Sequence, residues 1–321
     1  MKPMVIAHRG ASYVAPENTL AAFRAAKEIG ADGFETDVQL TKDGKMVIHH
    51  NYTIDANSNG SGRISEMTLE ELKKFDFGSW KGKEFAGEGI ATLEECLEVA
   101  KSFKVVNVEL KAPVDRSIPY VESVARAIKD AGLTDKIIVS AFDHTLLRDM
   151  KKILPELRVG ALTLPPMKGN QVFELAEKIL PPDKPLYQIS PSELTLPSAD
   201  MIDLNALQIP GKDMGAVAME QIQSISAIYP GASFREVQAQ LRKQNDLAEY
   251  VSGLDFKLDY LHCEYHSCLT DPTLVERVHD LGIGVNPWTP DAEADLQKLI
   301  ALGVDGIITN RPDLLLGLLG R

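Results

Sequence analysis

Short apolar runs recur along the whole chain and alternate with amphipathic segments. The runs are at most eight residues long and rich in β-branched residues, which is typical of strands buried on both faces. Eight of them lie at 4–8, 33–40, 105–111, 136–142, 158–164, 258–265, 284–289 and 306–310. Helical spacing of apolar residues fills most of the intervals, so the alternation predicts parallel β-α-β units.

The helix ends and the number of strands together indicate the architecture. The helical segment after Asn18 stops at Gly30, and Thr92 and Glu95 have capping-box spacing at the start of another helix. An open doubly wound sheet usually has fewer than eight strands, so we predict a closed (β/α)8 barrel. The short apolar run at 45–50 follows the second barrel strand through an Asp-Gly turn and is expected to form a hairpin with it.

A long connection precedes the sixth barrel strand. It covers about 185–257, whereas barrel connections usually need only a few residues. We therefore predict a helical insertion in a single catalytic domain spanning 1–321. One helix is expected at 233–253, with an apolar stripe formed by Phe234, Val237, Leu241 and Tyr250. The stripe is expected to pack on the barrel, with a lid or a contact between subunits as alternatives.

The composition is that of an ordinary globular protein with an excess of acidic residues. The 321 residues are 44% apolar and 25% charged, with a formal net charge of −12. Nucleic acids and anionic membranes bind basic patches, so we expect neither a nucleic-acid partner nor stable membrane association. Cys96, Cys263 and Cys268 lack disulfide-framework or metal-finger spacing, and the first residues have no signal-peptide pattern. A reducing cytoplasm is therefore the expected location.

Ionisable residues gather where the predicted strands end. They are His8 and Arg9 after the first strand, Glu35 and Asp37 on the second, His49 and His50 after the hairpin strand, and Glu109 and Lys111 on the third. Residues two apart on a strand point to the same face, and the chemistry of a (β/α)8 barrel lies at the carboxyl ends of its strands. Unpartnered buried carboxylates are costly, so a packed core has no use for this cluster.

These residue types favour one reaction class. Carboxylates at this spacing suit Ca²⁺ or Mg²⁺. With Arg9 and Lys111, such a cation would hold an anionic oxygen group, and phosphate is the natural one in an otherwise acidic protein. Two histidines on separate strands can serve as general base and general acid. Because the sequence has neither a P-loop nor a Gly-x-Ser-x-Gly motif, the combination predicts phosphodiester cleavage.

One stretch also resembles a known family. The run AHRGASYVAPENTLAAFRAAKEIGADGFETDVQLTKDGKMVIHHNYTID, residues 7–55, is similar to the N-terminal signature of the glycerophosphodiester phosphodiesterases. NVELK, VSAFD, PWTPD and DGIITNRP resemble later motifs of the family in the same order. The resemblance covers most of the chain apart from the insertion. It implies a barrel that hydrolyses small glycerophosphodiesters, such as glycerophosphocholine and glycerophosphoethanolamine, to sn-glycerol 3-phosphate and an alcohol with one bound Mg²⁺ or Ca²⁺.

The resemblance also implies roles for individual residues. They are His8 and His50 as the catalytic pair, Glu35, Asp37 and Glu109 as metal ligands, Arg9 and Lys111 as phosphate contacts, and Glu17, Asn18 and Trp288 as residues that line the site. Asn51 departs from the family, which usually has Asp after the second histidine. Asparagine keeps the hydrogen-bond acceptor and loses the charge. His49 is the alternative match, and His50 is preferred because HNYTID then has the family spacing.

Several alternatives remain open from the sequence. A lysophospholipase D is a close variant of the expected enzyme, and a catalytically weakened barrel that binds a phosphorylated metabolite belongs to another class. A homo-oligomer formed through the insertion is a further alternative. His262, Glu264 and His266 share one face near the end of the sixth barrel strand. They are expected to have no direct chemistry, with a head-group contact or a second metal position as alternatives.

Overall fold

The computed structural model describes residues 2–113, 115–164, 176–194, 219, 222, 225–226, 228–229 and 231–321. The chain divides into two compact units. One comprises Met1–Thr163 and Val251–Arg321, and the other comprises Leu164–Tyr250. The predicted insertion falls largely within the second unit.

The first unit is a parallel barrel. Its strands, with one antiparallel hairpin strand (β3), are β1 (Met4–Ala7), β2 (Gly33–Leu40), β3 (Met46–Ile48), β4 (Val105–Leu110), β5 (Ile137–Ala141), β6 (Arg158–Thr163), β7 (Tyr260–Cys263), β8 (Gly284–Val285) and β9 (Gly306–Thr309). The hydrogen-bonded order is β8-β7-β6-β5-β4-β2-β1-β9. A parallel bridge between Trp288 and Ile308 joins the end of β8 to β9. The predicted (β/α)8 barrel and the predicted β2–β3 hairpin are both confirmed.

Helices lie between most of the strands. They are α1 (Leu20–Ile29), α2 (Leu69–Leu72), α3 (Leu93–Ala100), α4 (Tyr120–Asp130), α5 (His144–Ile153), α6 (Phe234–Arg242), α7 (Leu247–Ser252), α8 (His266–Thr270), α9 (Leu274–Asp280), α10 (Glu293–Leu302) and α11 (Pro312–Leu318). The capping box predicted for Thr92 and Glu95 is present at the start of α3. No helix in the described ranges is both long and apolar enough to span a bilayer.

The barrel interior changes from apolar to polar along the strands. Near the amino ends, Ile6, Val105, Ile138 and Ile308 form an apolar cluster. One step further, Asn107 Nδ2 donates to Ser140 Oγ over 3.0 Å. His262 is fully buried there beside Gly160, where a Cβ atom would lie 2.7 Å from the imidazole. Polar side chains therefore begin below the carboxyl ends of the strands, where the site is expected.

The segment between β3 and α3 has its own small core. Val47, Ile54, Ile64, Leu72, Phe77 and Ile90 form this cluster. Glycines and short polar residues make its turns, and α2 begins with a capping box between Thr68 and Glu71. The segment is thus a packed structure that carries His50 and Asn51 at its start.

The second unit differs from the expected single helix at 233–253. Two helices, α6 and α7, occupy this segment instead. Asp246 Oδ1 accepts hydrogen bonds from the amides of Ala248 and Glu249, so a new helix starts at this residue. The single-helix prediction is wrong because the sequence pattern did not reveal this internal cap.

The apolar stripe of the insertion is buried within its own unit. Phe234, Val237 and Leu241 belong to a cluster with Ile179, Leu180, Leu186, Ile189 and Ile222. Each of the three stripe residues is at most 4% exposed. Their burial has a sufficient cause inside the second unit, and the expectation that the stripe also packs on the barrel stays a prediction. Tyr250 lies outside this cluster.

Candidate active site

Three carboxylates meet at the carboxyl ends of β2 and β4. Asp37 lies directly opposite Glu109 in the strand register. Glu35, Asp37 and Glu109 are each at most 7% exposed, and one oxygen atom from each lies within 4.8 Å of the others. Among the described residues, no other group of three His, Cys, Asp or Glu side chains satisfies this geometry. The three carboxylates, which their two-residue spacing on the strands predicted to lie together, are therefore close neighbours.

Burial and mutual repulsion dominate the electrostatics of the cluster. Burial, with the neighbouring charges of Asp37 and Glu109, raises the pKa of Glu35 well above its usual value. Burial also raises the pKa of Glu109 to about 7, although Lys111 opposes this effect. Burial opposes ionisation of Asp37 as well, but the neighbouring His50, followed by Lys111 and Arg9, outweighs it and holds the pKa of Asp37 below its usual value. The positive charges of Arg9 and Lys111 thus do not fully offset the negative charge of the three carboxylates.

The residues present fit a hard divalent cation. Asp37 Oδ2 accepts a hydrogen bond from Asn18 Nδ2 over 2.8 Å. The other oxygen, Oδ1, is buried without a hydrogen-bond partner. An orphaned buried carboxylate oxygen beside two further carboxylates is the donor chemistry that Mg²⁺ and Ca²⁺ prefer. A cation at this point would also offset the repulsion between the three groups.

Arg9 and Lys111 border the carboxylates on two sides. Arg9 Nη1 donates to Glu17 Oε1 over 2.8 Å, and Arg9 Nε lies 3.7 Å from Asp37 Oδ2. Lys111 Nζ lies 3.0 Å from Glu109 Oε1 and 3.7 Å from Asp37 Oδ1. Arg9 Nε is buried without a hydrogen-bond partner, so a donor remains available for an anionic oxygen.

The backbone between β1 and α1 is shaped to hold these groups. Arg9 and Asn18 both have positive φ, +53° and +58°, which is uncommon outside glycine and costs conformational energy. The Arg9 amide donates to Glu35 Oε2 over 2.9 Å, and the Asn18 amide donates to the Arg9 carbonyl over 3.0 Å. Asn18 Oδ1 accepts from Thr36 Oγ1. The strained turn therefore places Arg9 and Asn18 against β2.

His8 lies beside this turn and has two defined neighbours. Its Nδ1 is 2.7 Å from Asn310 Oδ1, and its Nε2 is 3.8 Å from Glu35 Oε2. Burial, followed by the charge of Arg9, lowers the pKa of His8 to about 4. The imidazole is consequently neutral near pH 7.

His49 and His50 point to different surroundings. The His49 ring lies edge-on to Phe77 with centroids 5.6 Å apart, and its Nε2 lies 3.2 Å from the Thr53 carbonyl. His50 Nδ1 is 2.8 Å from Asn51 Oδ1. Burial and the nearby charges of Arg9 and Lys111 keep the pKa of His50 well below its usual value. His49 therefore faces the small core of the segment between β3 and α3, and His50 lies near the positive charges of Arg9 and Lys111.

Residues on the far side of the barrel mouth are arranged around Trp288. Trp288 Nε1 donates to the His262 carbonyl over 3.0 Å, and its ring lies edge-on to Phe142. Glu264 pairs with His266, whose Nδ1 is 2.7 Å from Glu264 Oε1. His262 Nε2 lies 3.2 Å from Asn286 Nδ2, and burial lowers the pKa of His262 to about 3. These three polar residues do not form a second metal-ligand group among the described residues.

Two contributors were not identified from the sequence. Asn310 bridges His8 and Asp291, with its Nδ2 donating to Asp291 Oδ2 over 2.6 Å. Gln39 Nε2 donates to the carbonyls of His49, His50 and Asn51 over 2.7, 3.2 and 2.8 Å. Asp291 lies in the PWTPD motif and Asn310 in the TNRP motif, so the resemblance to the family could have pointed to both as site residues. Gln39 lies on the same face of β2 as Glu35 and Asp37, which is weaker evidence for a role in the site.

Comparisons with known proteins agree with this arrangement. The model of the glycerophosphoryl diester phosphodiesterase family matches residues 8–190 and 229–314. A glycerophosphodiester phosphodiesterase of Caldanaerobacter subterraneus subsp. tengcongensis is 33% identical over 323 residues, covering 100% of this chain and 99% of that protein. Glycerophosphodiester phosphodiesterase 1 of Mus musculus is 45% identical over 94 residues, covering 29% of this chain and 28% of its own.

Solved structures share the fold at lower sequence identity. A phosphodiesterase of Oleispira antarctica, in complex with the product sn-glycerol-3-phosphate, has a TM-score of 0.64 and 24% identity. The match covers 100% of this chain and 98% of that one. A glycerophosphodiester phosphodiesterase of Agrobacterium tumefaciens has a TM-score of 0.62 and 20% identity, covering 98% and 99% of the two chains.

Proposed function

The chain belongs to the glycerophosphoryl diester phosphodiesterase family and is a phosphoric diester hydrolase; on this premise we propose that it cleaves soluble glycerophosphodiesters to sn-glycerol 3-phosphate and an alcohol. Glycerophosphocholine and glycerophosphoethanolamine are representative substrates. The observation that carries the proposal is the meeting of Glu35, Asp37 and Glu109 within 4.8 Å. Beside that cluster lie two half-buried histidines, His8 and His50, each with one ring nitrogen fixed by an asparagine.

Glu35, Asp37 and Glu109 are the residues that would hold one Mg²⁺ or Ca²⁺. When bound, such a cation polarises the phosphoryl oxygens and neutralises charge that develops on them. Arg9 and Lys111 would bind the other phosphoryl oxygens and fix the orientation of the diester. Glu17 holds Arg9 through its 2.8 Å bond, and Asn18 holds Asp37 in the same way. Glu17 and Asn18 thus act by holding Arg9 and Asp37 in position.

The contacts of Asn310 support a defined tautomer for His8. Asp291 is a carboxylate and only accepts hydrogen bonds, so Asn310 presents its amide nitrogen to Asp291 and its oxygen to His8. His8 Nδ1 must then carry the hydrogen, which leaves a lone pair on Nε2. His50 has the same kind of partner, because its Nδ1 faces Asn51 Oδ1.

The two histidines divide the proton transfers. One Nε2 atom accepts the proton from the attacking hydroxyl group as its oxygen bonds to phosphorus. The other histidine must enter the reaction as the imidazolium ion, and it donates its Nε2 proton to the leaving oxygen as the phosphorus–oxygen ester bond breaks. The proton taken up by the first histidine keeps the number of protons on the pair unchanged. A cavity of about 330 Å³ adjoins Lys111 and is also lined by Tyr52 and Arg63. It offers room for an organic group of the diester.

Turnover of glycerophosphocholine with and without EDTA tests the proposal. Chelation should abolish release of sn-glycerol 3-phosphate, and added Mg²⁺ or Ca²⁺ should restore it. Full activity in EDTA would contradict the metal assignment. Binding of glycerophosphocholine without any turnover would instead favour the weakened-barrel alternative, for which Asn51 is the only support.

A further inference from the structure

Large apolar side chains are exposed at only a few of the described positions. They are Tyr13, Val14, Trp80, Ile153 and Leu281, which are 60%, 50%, 41%, 41% and 45% exposed. Ile153 ends α5, and Leu281 follows the last residue of α9. Because barrel helices run opposite to their strands, these two lie at the amino ends of the strands. Tyr13 and Val14 follow β1, so they lie at the opposite end, where the site is.

Contacts bring Trp80 close to the loop that carries Tyr13, and Val14 is the next residue of that loop. Lys81 Nζ donates to the Ser12 carbonyl over 2.7 Å and lies 5.8 Å from the centre of the Trp80 ring. The Arg311 guanidinium lies 4.5 Å from the centre of the Tyr13 ring. We call Tyr13, Val14, Trp80, Lys81 and Arg311 the rim patch.

The rim patch adjoins the catalytic machinery. Ser12 Oγ donates to Asn310 Oδ1 over 2.9 Å, the same oxygen that faces His8 Nδ1. Ser12 precedes Tyr13, and Arg311 follows Asn310. A molecule resting on the rim patch would therefore lie next to a diester bound at His8.

The chemistry of the rim patch fits the surface of a lipid aggregate. Tyrosine and tryptophan combine an apolar ring with a polar tip, and lysine and arginine add donors for phosphate, a combination favoured where apolar and aqueous phases meet. Arg311 is paired with Asp313, so the patch has little excess positive charge. With a whole-chain charge of −12, an anionic surface would repel the protein.

We propose that the rim patch docks reversibly on zwitterionic phospholipid and lysophospholipid surfaces and presents lysophospholipid head groups to the site. Docking itself is independent of the proposed function. The use of lysophospholipids rests on it, because a lysophospholipid is a glycerophosphodiester with one acyl chain. The phosphodiester would reach the carboxylate cluster while the acyl chain stays with the aggregate, beside Tyr13 and Trp80.

Sedimentation with phosphatidylcholine vesicles tests the docking. The wild-type protein should partition to the vesicles, and Tyr13→Ser/Trp80→Ser should weaken partitioning roughly tenfold or more, since each aromatic ring loses most of its burial in lipid. Ile153→Ser/Leu281→Ser is the matched control and should leave partitioning unchanged. Val14→Trp should strengthen it. Absence of wild-type binding, or an equal loss in both double variants, would overturn the proposal.

Two activity measurements separate the docking surface from the catalytic site. On soluble glycerophosphocholine, Tyr13→Ser/Trp80→Ser should retain wild-type kcat and KM. On lysophosphatidylcholine above its critical micelle concentration, the same variant should show a higher apparent KM. An equal loss on both substrates would place the rim patch in the substrate site and overturn the proposal. Vesicle binding without turnover of any glycerophosphodiester would refute the proposed function and leave the docking intact.

The oligomeric state provides one more outcome. Light scattering should give the same mass for the wild-type protein and for Tyr13→Ser/Trp80→Ser. A mass that falls only in this variant would identify the rim patch as a contact between two copies of the chain and would overturn the lipid assignment.

Discussion

Each clustered carboxylate has its own set of partners. Glu35 accepts from the Arg9 amide, Asp37 accepts from Asn18, and Glu109 lies 3.0 Å from Lys111. These contacts satisfy one oxygen of each group and leave the electrostatic repulsion between the groups in place. The apo protein should therefore be destabilised at this point, and a bound cation should stabilise it through linkage.

Glu35→Gln tests this balance without relying on activity. The amide keeps an acceptor for the Arg9 amide and removes one of three repelling charges. In EDTA, the melting temperature should be equal to or above that of the wild type. Mg²⁺ or Ca²⁺ should raise the melting temperature of the wild type and have little effect on the variant. Differential scanning calorimetry measures both shifts.

Glu17→Gln is the control for Glu35→Gln. Glu17 pairs with Arg9 and is not part of the carboxylate group, so its variant should keep the metal-induced shift. If Glu35→Gln retained the wild-type shift, Glu35 would not be a metal ligand.

Single alanine variants of the histidines test the proton transfers. His8→Ala and His50→Ala should each reduce kcat by roughly 10²–10⁴-fold, the usual size of a general acid–base contribution. KM should change little because Arg9 and Lys111 remain. A p-nitrophenyl ester, whose leaving group needs little protonation, should rescue only the variant that lacks the general acid.

His49→Ala provides the comparison for His50→Ala. The His49 ring packs on Phe77. His49→Ala should therefore lower the free energy of unfolding and have little effect on kcat. If His49→Ala lost activity while His50→Ala kept it, His49 and not His50 would be the residue that matches the second catalytic histidine of the family.

At the scale of elements, β2 organises the site. Glu35 and Asp37 project from it, and Gln39 at its end binds three successive carbonyls of the segment that carries His50. An amide with two hydrogens can satisfy such a row of acceptors, whereas neither a carboxylate nor an aliphatic chain can. The position of His50 is thereby coupled to the strand that supplies two metal-ligand candidates.

Gln39→Glu and Gln39→Leu test this coupling. The glutamate variant is nearly isosteric but places an acceptor against three carbonyls, and the leucine variant removes all polar contact. Both should lower kcat about 10–100-fold, as is usual for residues that orient a catalytic group, with little change in KM. Rescue of either variant by a p-nitrophenyl leaving group would link the effect to the general acid. An unchanged kcat in Gln39→Glu would exclude the role.

Much of the barrel and part of the site were predictable from local pattern. Asp37 and Glu109 meet because two neighbouring parallel strands carry carboxylates at the same parity, and both facts follow from the sequence. The choice between His49 and His50 depends on which ring turns toward Phe77, a tertiary contact. Asn310 lies 302 positions after His8, so the contact between them exists only once β9 pairs with β1. The internal cap at Asp246 was hidden by a continuous helical pattern.

At the scale of the whole molecule, one buried aspartate links distant parts of the barrel. Asp32 is 5% exposed and accepts from the Val5 amide, from Lys104 Nζ and from both terminal nitrogens of Arg321. Burial alone would raise the pKa of Asp32, but the bonds from Arg321 and Lys104 outweigh it and hold the pKa below its usual value. These bonds tie β1, β2, β4 and the segment after α11 at the amino ends of the strands.

The depressed pKa makes this contribution to stability dependent on pH. Asp32→Asn should lower the free energy of unfolding at pH 7 by about 1.5–3 kcal/mol, the range for hydrogen bonds to a charged group. The wild-type carboxylate is ionised in both states at pH values well above about 4, the ordinary pKa of Asp in an unfolded chain. Below that pH the unfolded state takes up a proton first, so the difference between the proteins should shrink.

Urea unfolding across this pH range measures the difference. Asp130→Asn, at an exposed position, should follow the wild type throughout. A difference between wild type and Asp32→Asn that stayed constant from pH 7 to pH 3 would show that the charge of Asp32 does not stabilise the fold.

The pairing of Met4 with Gly306 has a consequence for how the protein is made. A ribosome adds about 5–20 residues per second, so β1 leaves the tunnel on the order of tens of seconds before its partner β9 exists. During that interval the nascent chain carries β1 with one edge unpaired, and His8 lacks Asn310. Peptide-bond synthesis therefore sets a lower limit on when hydrolysis can begin, and a polypeptide terminated before β9 would lack Asn310, the partner of His8 Nδ1.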